Sequence, residues 1–146
     1  MNNVLESSWI YSMANFRKKD TGLPVNLWID DAHWYVKGGH GMRLKFQLDY
    51  GNRISDNFAS MNFEGEIIDK TLDSSVCELN AKDIKQVSNF TKNNVYALEN
   101  LAEENISLSD FLSVMIKGGE QASLEQIEEQ KNAVDSLVES NVIEEE

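Results

Sequence analysis

The sequence predicts an α+β protein, in which an antiparallel sheet of about four strands in the N-terminal half is packed with two to three C-terminal helices. Two observations lead to this prediction. Between residues 25 and 68, apolar and polar residues alternate with the period of two that is typical of a half-buried strand. From residue 80 onward, apolar residues recur every three or four positions, as they do along the buried face of a helix. The chain of 146 residues is long enough for one domain with a sizeable core.

Four segments of the N-terminal half are predicted to form the strands. The clearest is MRLKFQLDY, in which Arg43, Lys45 and Gln47 alternate with apolar residues and are expected to face solvent. Because short connections favour pairing between neighbours in the chain, we expect a four-stranded antiparallel meander. The predicted strands cover residues 25–29, 33–37, 42–50 and 58–68.

The C-terminal half contains three candidate helix starts. Each has an N-cap side chain that accepts a hydrogen bond, followed three positions later by a residue that can bond back to it. The first predicted helix continues to about Ala102, the second ends at Gly118 and Gly119, and the third runs to the acidic tail at residues 144–146. The three pairs are Asn80 with Asp83, Ser107 with Asp110, and Ser123 with Gln126.

The third predicted helix carries an apolar seam at the a and d positions of a heptad repeat. Leu124, Ile127, Val134 and Val138 form this seam, and Lys131 interrupts it at an a position. Fewer than three heptads are too short for a coiled coil alone. The seam therefore docks either on the domain or on a second copy of the chain, and the second alternative predicts a homo-oligomer built through residues 120–146.

The chain is predicted to contain one globular unit with two appendages. Residues 1–12 are expected to form an N-terminal extension, residues 13–119 a single α+β domain, and residues 120–146 an acidic amphipathic helix and tail. The core should form where the apolar faces of the strands and helices meet. Its predicted strand residues are Leu44, Phe46, Leu48, Met61 and Phe63, and its predicted helix residues are Ile84, Val87, Leu98, Leu101, Phe111 and Met115.

Charge is distributed unevenly along the chain, whose formal net charge is −12. Residues 1–55 carry seven Lys or Arg and five Asp or Glu, whereas residues 56–146 carry six and twenty. The acidity therefore belongs to the helical half, and the sheet half is slightly basic. Such asymmetry points to interaction surfaces of opposite sign rather than to a fold class.

Composition and local pattern exclude several functional classes. The single cysteine, Cys77, excludes an internal disulfide and a multi-cysteine zinc site, and its apolar neighbours predict a buried structural thiol. The chain has two histidines and no nucleophile flanked by a base, so we predict that it is not an enzyme and has no catalytic residue. The first residues lack a secretory signal pattern and no apolar run approaches about 18 residues, so we expect a cytoplasmic protein without a membrane span.

The glycine-rich segment GGHG at residues 38–41 has two interpretations. Its backbone amides could hold an anion, with positive charge added by Lys37, His40, Arg43 and Lys45. Alternatively it is a hairpin turn that needs positive φ angles, for which glycine is the common choice. We expect the turn, because no helix follows as a phosphate-binding loop requires.

One combination of residues has side chains that could ligate a metal ion. Asp30 and Asp31 precede His33, and His40 follows the next predicted strand. The spacing matches no metal-ligand pattern, and adjacent aspartates suit a turn in their own right. We therefore predict no metal site and no cofactor.

Two surfaces are candidates for binding. The first is an acidic helical surface that would engage a basic protein partner, since opposite charge steers such encounters. The alternative is a single-stranded nucleic-acid site on the sheet, where cations would contact phosphates and Trp28, Trp34 and Tyr35 would stack on bases. The acidic helical surface consists of Glu103, Glu104, Asp110, Glu120, Glu125, Glu128, Glu129 and Asp135, and the basic set consists of Arg17, Lys18, Lys19, Lys37, His40, Arg43 and Lys45.

Three segments carry a resemblance to known sequences. FRKKDTGLPVNLWIDDAHWYVKGGHGMRLKFQLDYG (16–51), EGEII (64–68) and MIKGGEQAS (115–123) resemble a family of small proteins of bacteriophages and prophage-like elements, with GLPVN, GHG and IKGGE as the distinctive stretches. The resemblance covers about residues 16–123. It implies a phage or mobile-element origin and an intracellular location, and it assigns no activity and no functional residue.

Overall fold

Four short strands form one antiparallel sheet, and helices from the second half of the chain cover one of its faces. The structure is a computed structural model and describes residues 14–29, 43–53, 57–68 and 77–145. The strands lie side by side in the order of the chain, which confirms the predicted α+β class. They are β1 (Ala14–Phe16), β2 (Leu27–Ile29), β3 (Arg43–Gln47) and β4 (Phe58–Asn62).

The four strands are not the four that the alternation predicts. β1 was missed, because three residues give too little alternation to detect. β2 pairs directly with β3, with Leu27 opposite Phe46 and Trp28 opposite Lys45. The predicted strand at 33–37 lies outside the described residues. The predicted strand at 58–68 ends at Asn62, whose side-chain oxygen accepts hydrogen bonds from the amides of Glu64 and Glu66 in a turn.

The described residues include five helices: α1 (Lys18–Thr21), α2 (Ala81–Asn93), α3 (Val95–Ala102), α4 (Leu108–Val114) and α5 (Leu124–Glu145). All three predicted N-caps are confirmed. Asn80 accepts from the Asp83 amide at 2.8 Å, and the Ser107 and Ser123 pairs each form two reciprocal hydrogen bonds. The continuous helix predicted up to Ala102 is wrong, because the helix breaks at Asn94 into α2 and α3.

The core lies between one face of the sheet and the helices. The predicted core residues belong to it, with Ile84 packed at its edge. Phe16 and Phe111 meet with ring centroids 4.9 Å apart, and Val134 brings α5 into the same cluster. Tyr50 does not follow the alternation: it is 40% exposed, and its hydroxyl donates to Asp83.

The opposite face of the sheet is less exposed than the alternation predicts. Gln47 is fully buried rather than facing solvent. Its amide nitrogen donates to a side-chain oxygen of Asp49 at 2.6 Å, and its Oε1 accepts from Asn26. Trp28 is also fully buried on the strand next to it. Burial of a polar side chain is tolerated here because its amide has hydrogen-bond partners.

Three asparagine side chains, two in α2 and one at the break between α2 and α3, form hydrogen bonds with segment 116–122, which leads into α5. Asn89 donates to Gly119 O, and Asn93 contacts both Glu120 O and Ala122 N. Asn94 donates to Ile116 O at 3.0 Å and accepts from Ile116 N at 2.7 Å. These side chains satisfy backbone groups that are not paired in a helix or sheet, so the segment has a defined path.

Replacing Asn94 with alanine is expected to lower the free energy of unfolding by at least about 2 kcal/mol, because several buried polar groups lose their partner. The side chain also donates to Phe90 O and accepts from Gln130 Nε2. Urea denaturation measures the change. Asn132→Ala, at an exposed position of α5, should change the free energy by less than about 0.5 kcal/mol. Equal stabilities for the two variants would contradict the role of Asn94.

Candidate functional site

The acidic helical surface is centred on α5, whose two faces differ in chemistry. The inner face carries Val134, which is fully buried, and Gln130, which is 4% exposed. Away from this inner face, α5 exposes five carboxylates and one ammonium group, that of Lys131, among the side chains described between residues 124 and 142. The carboxylates are those of Glu125, Glu128, Glu129, Asp135 and Glu139.

Two amide side chains fix the orientation of α5. Gln130 Nε2 donates to Asn94 Oδ1 at 2.6 Å and to Val114 O at 3.2 Å. Asn141 Nδ2 donates to Asn105 O at 2.9 Å, about three turns further along the helix. The helix is therefore held at two distant points, and its acidic face points away from the domain.

The predicted a/d seam describes this docking only in part. Val134 is in the core, and Ile127 and Val138 are partly buried. Leu124 is 87% exposed, so it lies outside the contact. The prediction overlooked Gln130 and Asn141 because a heptad pattern counts apolar residues only.

Asp135 contacts the domain that carries it. It accepts a hydrogen bond from the hydroxyl of Tyr96, and this bond is the largest cause that raises the pKa of Tyr96 above its usual value. The ammonium of Lys131 lies 5.6 Å from the centroid of the same ring, within the range of a cation–π contact. Asp135 thus helps to dock α5 and is less available to a partner than Glu125 or Glu128.

Asp110 also has a structural role. Its carboxylate accepts from the Ser107 amide at 3.1 Å and from Asn141 Nδ2 at 3.4 Å. The hydrogen bond from the Ser107 backbone is the largest cause that lowers the pKa of Asp110 below its usual value. Asp110 therefore caps α4 and stays negatively charged at neutral pH.

The remaining predicted acidic residues lie in the loops beside α5. Glu103 and Glu104 follow α3, and Glu120 precedes α5; all three are exposed. Burial is the largest cause that raises the pKa of Glu99, and the nearby carboxylate of Glu103 raises it further. Glu139 was missed by the sequence analysis, although its position four residues after Asp135 places it on the same helix face.

The sheet brings together only part of the basic set. Arg43 and Lys45 lie on the same face of β3, and Lys45 Nζ is 5.0 Å from the centroid of Phe58. Trp28 contacts Phe58 edge-on at 5.4 Å, but it is fully buried, so the prediction that its ring is open for stacking is wrong. Lys37, His40, Trp34 and Tyr35 lie outside the described residues.

The other basic residues are at the start of α1. Arg17 and Lys19 are exposed. Lys18 donates from Nζ to Tyr50 O at 2.5 Å, so it links α1 to the loop after β3. The hydrogen bond that the Tyr50 hydroxyl makes with Asp83 is the largest cause that raises the pKa of Tyr50.

The described ranges contain no cluster of three or more His, Cys, Asp or Glu with the geometry of a metal site. Asp30, Asp31, His33 and His40 lie outside those ranges. Cys77 is partly rather than fully buried and packs against the core. Among the helices described, none is both long and apolar enough to cross a membrane.

The lowered pKa of Asp110 predicts a pH dependence of stability. A carboxyl whose folded-state pKa lies below its unfolded value stabilises the fold above the unfolded pKa, and this contribution is lost as pH falls through the folded pKa. Asp110→Asn should therefore be less stable than the wild type at about pH 6, and the difference should shrink below about pH 4. Urea denaturation across this range measures it.

Glu128→Gln is the matched control, because it removes the same charge from an exposed position of α5. It should show a smaller difference from the wild type throughout the range. A constant difference between the wild type and Asp110→Asn from neutral to acid pH would contradict the role given to the Asp110 charge.

Comparison with protein-family models, with curated proteins and with solved structures gave no match. The phage-family resemblance therefore stays a prediction of the sequence. The inference of function rests on the surfaces described above.

Proposed function

We propose that this protein is a non-enzymatic interaction protein of a phage or mobile element, and that its acidic helical surface binds a basic region of a protein partner. One observation supports the proposal most directly. Away from its docked face, α5 exposes five carboxylates and one ammonium group within the described side chains. A surface of one sign attracts a partner of the opposite sign and accelerates their encounter.

The fold does not require this charge. Glu125 and Glu129, and likewise Asp135 and Glu139, are like-charged pairs four residues apart on the helix, and each such pair costs about 0.2–0.5 kcal/mol. Docking of α5 uses mainly aliphatic side chains, among them Val134, and two uncharged amides; of the five carboxylates, that of Asp135 takes part, through Tyr96. Lys131 offsets part of the repulsion among the carboxylates, and a cationic partner would relieve more of it.

Proteins that handle nucleic acid are the class of partner that fits best. They carry Lys and Arg clusters that neutralise phosphates, and an acidic surface can occupy the same clusters. A host nucleic-acid-handling or defence protein, inhibited in this way in the host cytoplasm, is the corresponding partner for a phage protein.

Assembly of the chain with itself through residues 120–146 is the weaker proposal. The inner face of α5 is occupied by its own domain, through contacts of Gln130 and Asn141. Two copies that each carry a net charge of −12 also repel one another.

The charge proposal predicts that Glu125→Lys, Glu128→Lys and Glu129→Lys together abolish capture of basic proteins from a bacterial lysate. Glu64→Lys, Glu66→Lys and Glu78→Lys provide the matched control, because these exposed residues lie near the sheet and give the same change of net charge. Wild type and control should retain the same basic proteins at low salt and release them as ionic strength rises above about 0.1 M.

Two outcomes would contradict the proposal. Capture that survives reversal of the three α5 residues would show that this surface is not used. Equal loss in the α5 variant and in the control would show that only net charge matters.

A second candidate function, single-stranded nucleic-acid binding, has one observation in its favour. Arg43 and Lys45 project from one face of β3, where Lys45 also lies against the ring of Phe58. The low number of cations argues against strong binding, since affinity for a phosphate backbone grows with each neutralised phosphate.

This alternative predicts that the fluorescence anisotropy of a labelled single-stranded oligonucleotide rises when the protein is added. The binding should weaken steeply as the salt concentration rises. Arg43→Glu with Lys45→Glu should then weaken it by about tenfold or more. Lys82→Glu with Lys85→Glu, at exposed positions of α2, is the control and should have little effect. Absence of binding at low salt would exclude this function.

A further inference from the structure

Two open grooves lie beside α5. The larger, of about 840 Å³, lies between the loop after α3, the start of α4 and the last described turns of α5. The smaller, of about 450 Å³, lies between the end of α4, the residues that follow it and the first half of α5. Both are open to solvent along their length.

The two grooves lie in line along the same side of α5. The α5 residues that line them include Glu129, Ala133, Leu137 and Ser140, which are three or four positions apart and so lie on one side of the helix. α4 and its flanks form the other wall in both cases, through residues 104–110 and 113–117. We call this feature the α4–α5 trough; from residue 126 to residue 141 it is about 23 Å long.

The trough has the chemistry of a site for an amphipathic cation. Its apolar surface comes from both walls, with Leu108 and Val114 on one side and Leu137 on the other. Its charged groups are mainly acidic. The carboxylates belong to Glu104, Asp110 and Glu129, and Lys117 is the cation among the residues that line it.

A buried hydrogen-bond acceptor in the wall gives independent support. Gln130 lines the smaller groove and is 4% exposed. Both of its amide N–H donors are accounted for, by Asn94 Oδ1 and Val114 O. Its Oε1 has no hydrogen-bond partner within the described part of the chain. A buried acceptor without a partner is unfavourable, so a donor from a ligand seated beside it would be favoured.

We infer that the α4–α5 trough is the seat for a cationic amphipathic helix of the partner protein, an inference that rests on the function proposed above. A helix of about 15 residues matches the length of the trough. Its apolar face would lie on the leucine and valine side chains, and its Lys or Arg side chains would reach the carboxylates on the rim. A second copy of this chain is disfavoured as the occupant, because like-charged molecules repel.

The probe for a direct test is a fluorescein-labelled helical peptide of about 16 residues, made of Lys, Leu and Ala with the leucines on one face. The same peptide with Glu in place of Lys is its control. The wild type should bind the cationic peptide in a saturable manner and should not bind the acidic one. Amide chemical shifts of residues 113–117 and 126–141 should change most on titration.

Two substitutions on α5 separate the trough from the outer face. Glu129→Lys reverses a charge on the rim of the trough and should weaken peptide binding by about tenfold or more. Glu128→Lys makes the same charge change on the outer face and should weaken it by less than about threefold. Ala133→Trp fills the trough and should also weaken binding. If Ala133→Trp does not fold, Ser140→Arg at an exposed position of the other groove replaces it.

The outcomes distinguish this inference from the function on which it rests. If Glu128→Lys and Glu129→Lys weaken peptide binding equally and Ala133→Trp has no effect, the peptide does not bind in the trough. The acidic surface would then remain as the binding site. Chemical-shift changes confined to the outer face of α5 would lead to the same conclusion. Capture of basic proteins without any binding of the cationic peptide would also overturn the trough. Failure of both the peptide and the capture experiment would remove the proposed function itself.

Discussion

The side-chain amide of Asn94 is the constraint on which the arrangement of the helices depends. It lies at the break between α2 and α3, is fully buried, and bonds to Phe90, to both backbone groups of Ile116 and to Gln130. One residue thereby joins the helix break, the segment after α4 and the last helix. Because Gln130 sets the rotation of α5, the position of Asn94 also determines which residues of α5 face solvent. The acidic face is exposed as a consequence of a contact on the opposite side.

The sequence predicts the local features of this fold better than its tertiary contacts. Helix starts were predictable, because an N-cap and its partner three residues later form within one turn. The core was predictable from periodicity. The break at Asn94 was not, since two adjacent asparagines inside a helical pattern look like exposed positions. The burial of the Gln47 amide was not predictable either, because a polar residue in an alternating strand looks exposed. Its partners Asn26 and Gly51 come from two different segments of the chain. Polar residues are predicted to be exposed unless their partners are known.

The candidate site also has features that the sequence predicts and features that only the structure shows. Clustering of Glu in the last quarter of the chain is visible in the sequence, and helical spacing alone extends it to Glu139. The capping role of Asp110 is visible in the sequence, but its contact with Asn141 and the contact of Asp135 with Tyr96 are not, because these form only after α5 has docked. The trough has no sequence signature either. Its walls come from two separate helices, and Gln130 is distinctive only because its amide nitrogen is paired and its amide oxygen is not.

Fold and surface charge are largely separate in this protein, and this separation favours a role in binding. α5 docks mainly through aliphatic side chains and two neutral amides, and among its exposed carboxylates Asp135 contacts the domain, through Tyr96. A protein under selection for stability alone would gain from mixed charges on this face, since alternating signs at positions four apart stabilise a helix. Lys131 lies on the ring of Tyr96 beside the docked face. A helix whose cation lies near its anchored side and whose anions face outward has the charge distribution expected of a surface that meets a basic partner.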